Sequence, residues 1–189
     1  MKKVIALLTI TLSLQGCIFV VGAAAGAAAV SAVYDHRKIE QVTQDNNINN
    51  KVIDKINMVP GLKEGTHISV TTFNNVVLLA GESTTPELRQ QAEEAARTVP
   101  DVTQVYNRIM IQGASSSLSR TSDSWITTKI KTKMLATKGL QSGSIKVVTE
   151  NGTVYLMGVV SRDQADTTAE IARQVSGVQE VVKIFQYTN

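Results

Sequence analysis

The sequence predicts an α+β protein of two tandem αββαβ units, each a three-stranded mixed sheet with its helices packed on one face. Two observations support this prediction. Residues 75–81 (NVVLLAG) recur 77 residues later as residues 152–158 (GTVYLMG). Each copy also places an amphipathic helix, a hairpin, an Ala-rich helix and a last strand in the same order. The second helix favours a crossover that lets the last strand pair parallel to an earlier one.

The first helix of the first copy is predicted to begin behind Asp45, its expected N-cap, and to end at Pro60 and Gly61. Its apolar residues follow helical spacing: Ile48, Val52, Ile53, Ile56 and Val59. Two strands with alternating apolar and polar residues come next, over 67–72 and 76–81. In the second copy the corresponding hairpin turn is Asn151-Gly152, a pair that supplies the positive φ of a tight turn.

The second helix of each copy has its own start signal. Thr85 precedes Pro86 at the first helical position in the first copy. Ser161 with Gln164 three residues later predicts a capping box in the second. Each helix is predicted to end at a helix-breaking residue, Pro100 in the first copy and Gly177 in the second. The last strand of each copy follows, over 102–111 and 178–187.

Charge is distributed unevenly between the two copies. The chain has 189 residues and a formal net charge of +3, too small to indicate a nucleic-acid partner. Residues 40–110 contain six Lys/Arg and nine Asp/Glu, whereas residues 115–189 contain nine Lys/Arg and six Asp/Glu. The second copy is therefore the positive one.

The N-terminus resembles a bacterial lipoprotein signal. A short basic segment precedes the apolar residues 4–14, and Leu14-Gln15-Gly16-Cys17 follows. The resemblance implies that residues 1–16 are a signal peptide and that Cys17, the only cysteine, carries acyl chains such as palmitate. Ile18 follows the cysteine where inner-membrane lipoproteins have Asp, which implies the outer membrane and the periplasm. The alternative is an ordinary secretory signal with an incidental cysteine.

The remaining chain divides by composition. Residues 18–33 are apolar but consist mostly of Gly and Ala, and 16 such residues are too few to span a bilayer. The predicted segments after the signal are a lipidated N-terminus and tether (17–44), the first domain (45–112), a Gly/Ser-rich linker (113–121) and the second domain (122–189).

Two motifs identify a family resemblance. A V-x-L-x-G second strand occurs in both copies, ending at Gly81 and Gly158, and V-x-G-V occurs at 175–178. The first copy departs from the latter motif, with Asp101 in place of the glycine. The pair of units resembles BON domains, and with the signal it resembles dual-BON outer-membrane lipoproteins. That resemblance implies binding of anionic, phosphatidylglycerol-like phospholipid by the second domain, enrichment at the division site, and a role in envelope integrity under stress.

One stretch of the second copy is typical of a helix on an anionic surface. Residues 124–149 contain five lysines, no acid and the only tryptophan, Trp125. At the repeat spacing of 77, Trp125 takes the place of Ile48, and Lys129 that of Val52. The apolar face of the first copy is thus expected to become Trp plus lysines. A separate stripe supplies the core: Ile126, Ile130 and Met134.

Seven residues are the predicted phospholipid-binding set: Trp125, Thr128, Lys129, Thr132, Lys133, Leu135 and Ala136. In the alternative interpretation Trp125 belongs to the core and the lysines form a solvated face. No catalytic or metal-binding spacing is found, so an enzyme, a cofactor and a metal are not expected. The competing functions are an adaptor that docks an envelope protein and a structural spacer.

Overall fold

The computed structural model describes residues 38–113 and 116–188. The predicted signal peptide, Cys17 and most of the tether lie outside the described residues. The first domain contains α1 (Ile39–Asn57), α2 (Leu62–Gly65), β1 (Thr66–Phe73), β2 (Val76–Ser83), α3 (Pro86–Arg97) and β3 (Gln104–Ile111). The second contains α4 (Ser117–Ala136), a 3-10 turn (Ser142–Ser144), β4 (Ile145–Glu150), β5 (Thr153–Val160), α5 (Arg162–Arg173) and β6 (Glu180–Tyr187).

The two domains share one sheet topology, which confirms the predicted fold class. The strand orders are β1-β2-β3 and β4-β5-β6. In each sheet the hairpin is antiparallel, and the last strand pairs parallel to the central one. The helix between the central and last strands supplies the crossover that a parallel pair requires.

The described residues form four layers in the order helices, sheet, sheet, helices. Alternate residues of β2 point to opposite faces: Val77 and Leu79 pack under α1 and α3, whereas Leu78 and Ala80 face the other domain. In the second domain Val154 and Leu156 pack under α4 and α5, whereas Tyr155 and Met157 meet the first domain. The helices α1 and α4 therefore lie on opposite outer layers, each with one face turned away from the protein.

Left-handed residues form the tight turns of both copies. Asn74 and Asn75 connect β1 to β2 with φ of 49° and 66°, and Asn151 and Gly152 have 49° and 73° in the second hairpin. These are the two positive φ values that a two-residue hairpin loop needs. Asp101 has φ of 70°, close to the 95° of Gly177, so the first copy keeps the turn of the V-x-G-V motif without its glycine.

Two local predictions at helix starts were wrong, the N-cap of α1 and the capping box of α5. Helix α1 begins at Ile39, so Asp45 lies inside it and does not cap it. Helix α4 begins at Ser117, within the predicted linker, because Ser116 Oγ accepts a hydrogen bond from Ser119 N at 3.2 Å. Ser161 caps α5, but the side chain of Gln164 binds Gly139 O and Gln141 N instead of closing a capping box.

Candidate functional site

Helix α4 is fixed to the second sheet by its apolar stripe and by one buried carboxylate. Ile126, Ile130 and Met134 are buried in the core of the second domain. Asp123 is also buried, and its two carboxylate oxygens accept hydrogen bonds from Asn151 N at 2.8 Å and Gly152 N at 2.9 Å. These contacts hold the helix in one rotation about its axis, so the opposite face is presented to solvent.

All seven residues of the predicted set lie on the exposed side of α4. Trp125 and Leu135 are large apolar side chains with 50% and 52% of their surface exposed. Trp125 is therefore not a core residue, because Ile126 occupies the buried position next to it. We call the set Trp125, Thr128, Lys129, Thr132, Lys133, Leu135 and Ala136 the outer face of α4.

The indole and a lysine of the outer face contact each other. Lys129 Nζ lies 3.6 Å from the centroid of the Trp125 ring, within the range of a cation–π interaction. Lys129 is one turn after Trp125, so the contact aligns the indole along the helix. An apolar ring and a positive charge are thereby presented together at one point of the surface.

The threonines of the outer face satisfy their hydroxyl groups within the helix. Thr128 Oγ1 donates to Ser124 O, and Thr132 Oγ1 donates to Thr128 O, both at 2.9 Å. A hydroxyl that bonds the carbonyl one turn earlier no longer needs a partner of its own. The surface between Trp125 and Leu135 is therefore less polar than its residue types suggest.

The charge of the outer face is positive and uncompensated. Within residues 38–113 and 116–188, no acidic side chain pairs with Lys129, Lys131 or Lys133. Asp123, the acid nearest in sequence, points into the domain. Lys146 does not join this surface, because its Nζ contacts Thr72 O of the first domain at 3.4 Å.

The repeat spacing of 77 was wrong for the first helix. The buried stripe Ile48, Val52 and Ile56 corresponds to Ile126, Ile130 and Met134, a spacing of 78. Asp45 confirms this spacing, because it accepts from Asn74 N at 2.8 Å and Asn75 N at 3.0 Å as Asp123 does at its own turn. The equivalents of Trp125, Lys129 and Lys133 are thus Asn47, Lys51 and Lys55. The second copy therefore keeps the buried apolar face of its first helix. The difference between the copies is one exposed position, which holds Asn47 in the first and Trp125 in the second.

Sequence reasoning missed Asp123 and Asn151 as positioning residues for this site. A comparison of the two copies could have indicated this contact. In both copies an aspartate precedes the apolar stripe of the first helix by three residues, and each hairpin turn begins with asparagine. A carboxylate can satisfy the two bare N–H groups of such a turn. No pattern within a single helix reveals this contact.

Comparison with known proteins agrees with the repeat. The BON domain family matches residues 44–113 and 122–189. The chain belongs to the BON domain family. Its two BON domains are the two αββαβ units, and the resemblance to dual-BON outer-membrane lipoproteins is confirmed.

Several BON relatives are similar over long stretches. Outer membrane lipoprotein DolP of Haemophilus influenzae is 33% identical over 187 residues, which cover 99% of this chain and 96% of DolP. A 21 kDa hemolysin of Actinobacillus pleuropneumoniae is 38% identical, covering 81% of this chain and 79% of the hemolysin. Osmotically-inducible protein Y of Escherichia coli is 34% identical over 62% of this chain and 60% of that protein.

Neither a membrane-spanning helix nor a metal-binding group of side chains is found in this BON protein over the residues described. None of the helices between Lys38 and Thr188 combines the length and the apolar character needed to cross a bilayer. Within the same limits, no cluster of three or more His, Cys, Asp or Glu side chains is arranged to hold a metal ion. The outer face of α4 is an exposed surface on which large apolar side chains and lysines lie side by side.

Proposed function

We propose that this chain is a lipid-anchored outer-membrane protein facing the periplasm, and that the outer face of α4 binds anionic phospholipid. The observation that carries this proposal is the half-exposed Trp125 with Lys129 over its ring, on a helix face whose lysines pair with no acid among residues 38–113 and 116–188. An exposed indole next to lysine matches an interface where apolar chains meet negative headgroups. The ligand class is phosphatidylglycerol-like lipid.

The relatives support the location and the broader role. A relative that matches almost the whole chain is called an outer membrane lipoprotein, and another is called osmotically inducible. We infer a role in envelope integrity under stress, exerted at the division site where anionic lipid is proposed to recruit the second BON domain. The tether with lipidated Cys17 would keep the protein at the outer membrane throughout.

Magnitudes explain why both an anchor and a helix are needed. A lysine near an anionic leaflet contributes about 1 kcal/mol, so Lys129 and Lys133 of the outer face and the neighbouring exposed Lys131 together contribute roughly 3 kcal/mol. That corresponds to a dissociation constant of a few millimolar, which is weak for a free protein. An acylated N-terminus makes the contact intramolecular, and an effective concentration on the order of millimolar then suffices for substantial occupancy. The anchor localises the protein, and the helix discriminates between lipids.

The test is co-sedimentation of the chain lacking residues 1–17 with vesicles. We expect binding to phosphatidylglycerol vesicles and little binding to phosphatidylcholine vesicles, because the lysines interact with headgroup charge. Binding should decrease several-fold between about 50 and 300 mM salt, since the lysines are exposed and screened. Equal binding to the two vesicle types would contradict the proposal.

The adaptor function remains the second candidate because exposed apolar residues also suit a protein partner. Met58 on the first domain and Leu135 on the second are both largely exposed. Photo-crosslinking from position 125 in cells separates the two functions. Lipid adducts support phospholipid binding, whereas an adduct with one envelope protein supports the adaptor.

A further inference from the structure

The interface between the two BON domains is apolar at its centre and acidic at one end. Its buried centre consists of Phe73, Val76, Leu78 and Ala80 from the first domain and Tyr155, Met157 and Ile184 from the second. At one end Glu82 of β2 contacts the β4–β5 turn of the second domain, and Asp123 of α4 and Glu150 of β4 lie beside that same turn. All three are buried. We call them the interface acid cluster.

Asn151 connects the members of the interface acid cluster. Its side-chain Nδ2 donates to Glu82 Oε1 across the domain boundary, and its backbone N–H donates to Asp123 at 2.8 Å. The second oxygen of Glu82, Oε2, has no hydrogen-bond partner within the described residues 38–113 and 116–188, although the residue is only 1% exposed. A buried carboxylate oxygen without a donor is costly, so a further negative charge beside it would destabilise this arrangement.

Burial and neighbouring charges both act on the carboxyl group of Glu150. Burial raises its pKa to about 7, and the negative charges of Glu82 and Asp123 act in the same direction. Arg120, also on α4, opposes this rise. The closed interface therefore favours a neutral Glu150 over a charged one.

Other charged groups around the cluster come from the neighbouring strands. Tyr155 on β5 interacts with Glu150, and Arg108 of β3 and Glu180 of β6 act on the same tyrosine. Lys146 lies on the same face of β4 as Glu150 but contacts Thr72 O of the first domain. The cluster is thus surrounded by groups of both signs, with three acids at its centre.

We propose that the interface acid cluster is a proton-dependent latch between the two BON domains. With Glu150 protonated, the cluster carries one less buried negative charge and the sheets stay packed face to face. When Glu150 ionises, repulsion from Glu82 across the domain boundary loosens the interface and exposes the apolar residues at its centre. The latch needs no ligand and does not depend on lipid binding.

The direction of the pH dependence follows from linkage. In the open form solvent reaches Glu150, and its pKa returns towards the ordinary value of 4.5. The closed form therefore binds the proton of Glu150 more tightly than the open form does. The stabilisation of the closed form by this proton is complete below pH 4.5 and is lost as the pH rises through about 7. A single linked proton changes the ratio of open to closed molecules by at most about tenfold per pH unit.

The experiment measures methionine oxidation by dilute peroxide in the full-length protein, held in micelles of an uncharged detergent. Met157 and Met134 are each 1% exposed, but Met157 lies at the interface and Met134 in the core of the second domain. We expect oxidation of Met157 to accelerate at least about fivefold from pH 5 to pH 8. Met134 should not change, which shows that the second domain stays folded.

Two variants and one control decide the outcome. Glu150→Gln keeps the shape of the side chain without its charge, so Met157 should stay protected at every pH. Glu82→Gln should reduce the response to pH, while Glu87→Gln on the exposed start of α3 should leave it as in the natural sequence. A Met157 rate that does not change with pH, or a Glu150→Gln protein that responds like the natural one, overturns the latch.

Discussion

Replacing Gly81 by alanine is expected to unfold the first BON domain. A Cβ built on Gly81 would lie 2.0 Å from the backbone oxygen of His67, and this glycine has φ of 116°. The overlapping atom belongs to the backbone of β1, which is paired with β2 and cannot move without losing the hairpin. The combined cost exceeds about 4 kcal/mol, comparable with the whole stability of a small domain.

The measurement is urea unfolding followed by circular dichroism, with two other glycines as controls. Gly158 is the equivalent residue of the second domain, where a Cβ would meet Ser144 O at 2.7 Å, so Gly158→Ala should cost less. Gly113 has nothing within 4 Å, so Gly113→Ala should be close to neutral. A Gly81→Ala protein as stable as Gly113→Ala would show that the β1–β2 approach is not as described.

Reversing the charge of the outer face is expected to abolish most binding to anionic vesicles. Lys129→Glu removes one attraction of about 1 kcal/mol and adds a repulsion of similar size. The difference of about 2 kcal/mol corresponds to roughly thirtyfold weaker binding to phosphatidylglycerol vesicles. Trp125→Glu should weaken binding at least as much, because it removes the indole and adds a negative charge.

The first domain supplies a matched control for these variants. Lys51 and Asn47 occupy the positions equivalent to Lys129 and Trp125 and are also exposed. Lys51→Glu and Asn47→Glu make comparable additions of negative charge on the opposite outer layer, so they should change vesicle affinity by less than about threefold. If Lys51→Glu weakens binding as much as Lys129→Glu, net charge determines the affinity and the outer face of α4 has no special role.

Most of the fold could be predicted because its signals are local and occur twice. The Asn-Gly turn, Pro86 behind its N-cap and the alternating strands each specify an element, and the second copy confirms the order. The first helix of the second copy was the exception, because the repeat spacing of 77 paired the exposed Trp125 with the buried Ile48. The apolar stripe did predict Ile126, Ile130 and Met134 as the core residues of this helix, and they are buried. The long-range hydrogen bonds from the hairpin turn to Asp123 fix this rotation of the helix, and the spacing of the strands does not reveal them.

The interface acid cluster could not be predicted from the sequence. Glu82 is the penultimate residue of β2, where a polar residue normally faces solvent, and none of its neighbours in the sequence indicates burial. It is buried because the second domain covers the face of the first sheet that is turned away from α1 and α3. Such contacts between repeats depend on how two similar units pack, and periodicity within either unit carries no information about that.

The most direct test of phospholipid recognition by α4 is NMR of the isotope-labelled chain lacking residues 1–17, titrated with short-chain phosphatidylglycerol micelles. We predict that the largest shifts fall between Ser124 and Ala136, with the indole N–H of Trp125 among them, and that phosphatidylcholine micelles leave these signals nearly unchanged. Shifts concentrated on α1 or β6, or equal shifts with both lipids, would contradict recognition of anionic lipid by this helix.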